Sequence, residues 1–176
     1  MIGLGIWQLQ RASWKEGLLA RYESAKGLPA IDYPAEPTGV ETLLYRRATG
    51  FCLQPVSRRT TAGRNLAGKS GWSYIVACRT GGGEGPGMIV DIGWSERHDA
   101  TVEWRGGAVD GVIAPDKDSL IRLVAANSKP GLEPSLPPGP DAIANNHLLY
   151  AAQWFLFAAL AGLIYWLALH KRGIKP

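Results

Sequence analysis

The chain has 176 residues, enough for one ordinary domain with short appendages, and its 22 Gly and 12 Pro favour turns and short strands over a helical bundle. Its net charge is +4, but residues 28 to 146 carry twelve Lys/Arg against thirteen Asp/Glu, and the excess lies at the ends, +2 over residues 1 to 27 and +3 in the tail. A neutral middle excludes a phosphate-tracking surface, so no nucleic acid is expected as a partner, and basic flanks beside apolar ends fit a lipid bilayer.

In chain order, residues 1 to 9, "MIGLGIWQL", are almost all apolar. Nine residues cannot cross a bilayer, and they lack the basic lead and small-residue cleavage site of a secretory signal. They read as the last two turns of a longer span, a first membrane helix that is truncated here. Ala12, Trp14, Leu18, Leu19 and Tyr22 then recur at roughly helical spacing among Arg11, Lys15, Glu16 and Glu23. That pattern predicts a short amphipathic juxtamembrane helix, ended by Gly27 and Pro29. The first region is therefore 1–27.

The second region, 28–146, is β-rich. "LLYRRATGFCLQPV", "GWSYIVACRT", "GMIVDIGWS", "TVEWRG" and "AVDGVIA" are strand candidates separated by Gly-rich turns such as "TGGGEGPG". "RRTTAGRNLAGKSG" reads as a long loop or a weak strand, and "SLIRLVAANS" as a short helix or a strand. "KPGLEPSLPPGPDAIANN" reads as an extended Pro-rich connector. Five or six antiparallel strands predict a mainly β fold, a small barrel or sandwich between two membrane helices. Cys52 and Cys78 sit in strand-like runs without C-x-x-C or zinc spacing. Their context favours small buried hydrophobes over a pair, although an oxidising compartment permits pairing.

Leu148 to Leu169 is a 22-residue run without a formal charge or a Pro. As a helix it reaches ~33 Å, matching a ~30 Å hydrocarbon core. Tyr150 near one end, and Tyr165 with Trp166 near the other, suit an interfacial belt. The third region is this span, 147–170. The fourth is the basic tail, 171–176, which orients the C-terminus to the cytoplasm and the β-rich region outward. Ala158 and Gly162, four apart, offer either a flat strip for another helix or merely the usual small residues of a span.

The three histidines differ in context. His98 lies in a polar turn, "ERHDA", beside acidic residues but without a nucleophile motif. His170 borders Lys171 and Arg172 in the basic flank. The glycines at 81 to 83 lack a following helix and a P-loop Lys. His147 stands at the outward mouth of the span, with Tyr150, Ala151 and Trp154 on its helical face. A neutral imidazole beside flat aromatics can ligate haem iron. It can equally bond headgroups or cap the helix, and residue chemistry alone favours that second role.

Four segments occur in order: "LGIWQLQRASWK", "YRRATGFC", "DIGW" and "NNHLLYAAQWF". Together they resemble the surfeit-1 family of cytochrome c oxidase assembly factors, over nearly the whole chain. The resemblance implies two membrane helices bracketing an outward-facing β-rich domain in an inner membrane, periplasmic in a bacterium. It implies no enzyme turnover, a cytochrome c oxidase subunit as partner, and haem a as a transiently bound cofactor. Carried onto this chain, His147 becomes the axial haem-iron ligand. Trp7 and Gln8 match the opening motif, and Tyr150, Gln153 and Trp154 the closing one. Trp7 and Trp154 would wall the macrocycle, and Arg11 would pair with a propionate or snorkel. The family's V-N-R-G-W-like element reads "VDIGW" here, with Asp91 and Ile92 in place of polar and basic residues. Two rival readings are a scaffold for oxidase assembly that never touches haem, and a membrane-tethered hydrolase using His98 and an acidic neighbour.

Overall fold

The computed structural model describes residues 1–81, 87–139, 146–171 and 173. Most of the "TGGGEGPG" turn, two of the three string glycines, the end of the Pro-rich connector with Asn145, and the basic tail at 172 and 174–176 lie outside the described residues. The chain forms two compact units, Met1–Ala20 with Asp141–Pro176, and Arg21–Pro140.

Helix α1 runs unbroken over Ile2–Lys26, where the sequence suggests an apolar stub followed by a separate short helix. Nothing between the two segments breaks a helix, so the backbone continues. It stops where predicted, before Gly27 and Pro29, with the Leu28 N–H closing onto the Ala25 carbonyl at 3.2 Å. Helix α3 spans His147–Lys171; its entry is set by the Asn146 carbonyl accepting from the Tyr150 N–H at 3.1 Å.

The second unit contains the end of α1, the single turn α2 (Val40–Leu43) and seven strands: β1 (Ile31–Asp32), β2 (Arg47–Cys52), β3 (Gln54–Arg64), β4 (Ser70–Arg79), β5 (Met88–Ser95), β6 (Gly107–Asp116) and β7 (Leu120–Ala125). They form one sheet in the order β1-β2-β6-β7-β5-β4-β3. The expected antiparallel barrel or sandwich is thereby corrected. The sheet is mixed, since β1 pairs β2 and β5 pairs β7 in parallel, and no pairing joins β1 or β2 to β3 to close it. Alternation of apolar and polar residues identifies strands but not their neighbours, and the β6–β7 hairpin inserts between β2 and β5.

Only Leu53 separates β2 from β3, which stand second and last in the order. A flat sheet would put them ~24 Å apart at ~4.8 Å per strand. The sheet therefore curls until its ends approach. The Leu53 N–H donates to the Arg79 carbonyl at 2.9 Å, and Cys52 on β2 is disulfide-bonded to Cys78 on β4. The favoured reading of the cysteines as unpaired hydrophobes is thus overturned: both are fully buried, but as a cross-link. Chain entropy gives such a link, with a sequence separation of 26, a contribution of about 3.5 kcal/mol.

The core of this unit is a buried cluster that includes Val90, Ile113, Ile121 and Leu123 at 0% exposure. Strand β5 is buried from Met88 through Trp94. Its edge pairs β7 only at Val90 and Asp91. Beyond that the Pro-rich connector continues the pairing, and Trp94 and Glu133 exchange backbone hydrogen bonds at 2.6 and 2.8 Å. Gly93 has φ 140°, and a Cβ there would lie 2.8 Å from Leu132 Cβ, so the glycine before Trp94 serves both its backbone and this docking.

Candidate helical site

The functional candidates predicted from sequence concentrate in the first unit. On α1, Gly5, Ala12 and Lys15 are buried and Gln8 is half-buried, a stripe at helical spacing. On α3 the matching face carries His147, Ala151 and Trp154. Among the described residues the helices meet at Gly5 and at Gln8. The Phe155 ring lies over Gly5, where an added Cβ would be 2.7 Å from the ring. His147 Nδ1 lies 2.6 Å from the Gln8 side-chain carbonyl oxygen, a hydrogen-bonding distance. Since residue 5 meets 155 and residue 8 meets 147, the helices run antiparallel here. His147 Nε2 accepts and donates no hydrogen bond among the described residues.

The other predicted site residues are placed differently. Trp7, half exposed, sits on a neighbouring stripe with Arg11 and Trp14. The Arg11 guanidinium lies 5.8 Å from the Trp7 ring centre and 5.0 Å from that of Trp14, a cation held between two aromatic faces. Trp154 packs edge-on against Phe157 with ring centres 6.2 Å apart, and Tyr150 is exposed. No ring contact links Trp7 to Trp154 among the described residues. Gln8 is the residue that reasoning from sequence under-weighted. It matches the opening motif, but its partner lies 139 residues away, and spacing cannot show that.

The sheet unit offers less chemistry of this kind. Among the described residues no three His, Cys, Asp or Glu cluster as a metal site. A cleft of about 340 Å³ is lined by Arg21, Ser24, Ala25, Leu28, Glu41, Thr42 and Leu44, without a histidine or cysteine. His98 leans on Trp72 with ring centres 6.1 Å apart. Its neighbour Asp99 is bound by Arg97 at 3.1 Å, which holds that carboxyl below its ordinary range. Asp91, on β5, is buried and accepts from the Ser135 hydroxyl at 2.6 Å. His98 therefore makes no hydrogen bond or salt bridge to a carboxylate among the described residues, and Asp99 is engaged chiefly by Arg97. Asp91 and Asp116 instead belong to a structural network. Arg122 approaches Asp91 at 3.7 Å and Asp116 at 3.4 Å, while Arg59 grips both oxygens of Asp116 at 2.7 Å. Burial pushes the Asp91 carboxyl up. Burial acts the same way on Asp116, but the Arg59 hydrogen bond and charge outweigh it and hold that carboxyl below its usual range.

One helix among the described residues, α3, is long and apolar enough to cross a membrane. Residues 1–159 match the family model described as SURF1 family. The chain is 31% identical over 144 residues to surfeit locus protein 1 of Rattus norvegicus, covering 73% of this chain and 46% of the relative. It is 30% identical over 151 residues to surfeit locus protein 1 of Mus musculus, covering 77% and 48%. The chain thus spans about half the length of the curated relatives it matches. With a family match over nearly its whole length, and with the motif residues at the helix pair and along β5, the chain belongs to the SURF1 family.

Proposed function

We propose that this chain is a non-catalytic, membrane-anchored assembly factor for cytochrome c oxidase, and that it holds haem a as cargo through His147. The observation that carries the reading is the setting of that imidazole. It stands on the first turn of the apolar helix, on the face turned to α1, with Nδ1 engaged and Nε2 unbonded among the described residues. A single neutral imidazole nitrogen suits an axial position on haem iron, and its donor chemistry fits the group. Trp154 shares the ligand's helical face and supplies flat apolar surface. Arg11 lies over the Trp7 and Trp14 rings, and its guanidinium N–H groups would serve a propionate. Delivery calls for modest affinity, since cargo held too tightly is not released.

Helix α3 supports membrane placement, and the disulfide supports the compartment assigned to the sheet unit. Cys52–Cys78 supports an oxidising environment, a periplasm or intermembrane space. Basic Lys171 at the far end of α3 supports a cytoplasmic or matrix C-terminus in an inner membrane. The sheet unit would dock the oxidase subunit. The test is to purify the full chain from cells that make haem a and compare its Soret absorbance with that of His147→Ala. Loss in the variant is expected. Equal haem in both would remove His147 from the site, and haem-free protein that still restores oxidase assembly would favour a scaffold.

A further inference from the structure

We propose that Gln8 is a positioning residue for His147: its side-chain carbonyl takes the Nδ1 proton, locks the ring in one tautomer, and so presents Nε2 as the binding nitrogen. The metal-binding part of this inference rests on the haem reading; the tautomer part stands alone. A neutral imidazole has one N–H and one lone pair, and the hydrogen bond at one nitrogen decides which is which. An amide oxygen can only accept, so a 2.6 Å contact from Oε1 to Nδ1 places the proton on Nδ1 and the lone pair on Nε2. The same bond fixes the ring plane, because it anchors the imidazole on the side opposite Nε2.

The arrangement is built from both helices. The ring comes from the first turn of α3 and its acceptor from the second turn of α1. Gly5, one turn before Gln8, lets the Phe155 ring approach the α1 backbone, and that closeness brings the Gln8 carbonyl within reach. Partners of this sort orient metal-binding histidines and raise their basicity, and their loss typically costs about 10–100-fold in affinity. A glutamate at position 8 would accept the same proton more strongly and give the ring more imidazolate character.

The decisive experiment is 15N NMR of full-length, haem-free protein labelled at histidine, in detergent micelles at about pH 8.5, where imidazoles are neutral. His147 is assigned by its absence from His147→Ala. The expected result is a single tautomer protonated at Nδ1 in the wild type, a mixture in Gln8→Leu, and the Nδ1–H form again in Gln8→Glu. A wild-type ring protonated mainly at Nε2, or one unchanged by Gln8→Leu, overturns the proposal. In haem a-loaded protein, Gln8→Leu is expected to retain about 10–100-fold less haem. Gln8→Glu should retain it and shift the haem reduction potential to more negative values. If the tautomer behaves as stated while His147→Ala keeps its haem, the ligand assignment fails and the role of Gln8 toward the ring survives.

Discussion

The two units are held by different physics. The sheet unit contains its own solvent-excluded core, a cross-link between strands near opposite ends of the sheet, and buried carboxylates with named partners. The helix pair exposes Leu149, Ile164 and Tyr165 at about two thirds or more of their surface, and its contacts among the described residues include a glycine under a ring and a polar hydrogen bond. Apolar exposure of that extent suits lipid as solvent, where helices gain little from burying leucines against each other and small residues and polar bonds confer specificity. Stability is thus concentrated in one unit and the proposed haem contact in the other.

The contrast can be tested by injuring each unit separately. The largest effect is expected from Trp94→Ala, which empties the C-terminal end of β5, where the residue is 1% exposed and its Nε1–H donates to the Gly63 carbonyl at 3.3 Å. A loss of about 3–5 kcal/mol should appear as faster amide hydrogen exchange across β4, β5 and β7 of the full chain. Cys52→Ser with Cys78→Ser should lower stability by about 3.5 kcal/mol in the same peptides. In both variants the His147 tautomer should be unchanged, and a changed tautomer would break the proposed separation of roles. Gly5→Ala injures the other unit. Its methyl meets the Phe155 ring, and weakening of the Gln8 bond, short of its removal in Gln8→Leu, should cost about 1 kcal/mol, or about fivefold in haem retention. Gly5→Ala with Phe155→Ala should recover the retention.

The smallest effects are those of pH. The folded Asp91 carboxyl is raised by burial, so its stabilising contribution is complete below the ordinary carboxylate pKa of about 4 and fades as pH rises through the raised value. Asp116 is lowered, so its contribution is present above about 4 and fades as pH falls through the lowered value. Asp91→Asn should flatten the first slope and Asp116→Asn the second. Hydrogen exchange of the β5 and β6 peptides across a pH series reads both.

Parts of this organisation are legible from residues alone. An uncharged run makes α3 plain, and Gly27 with Pro29 marks the end of α1. Strand β3 is harder to see because it lies at the end of the sheet order, with Arg58 and Arg64 exposed and little buried surface to impose alternation. "TVEWRG" misleads in the opposite way. Val102 and Trp104 alternate and are buried, but their carbonyls accept from the Arg58 guanidinium rather than from a neighbouring strand. The disulfide and the Gln8–His147 bond are both long-range meetings, which only the curl of the sheet and the packing of the helices bring about.

The most direct measurement concerns the imidazole itself. Full-length His147→Gly, made in cells that produce haem a, should lack the Soret band of the wild type and regain it when imidazole is supplied to the purified protein together with haem a. A His147→Gly protein that carries wild-type haem without added imidazole would contradict the assignment of the ligand.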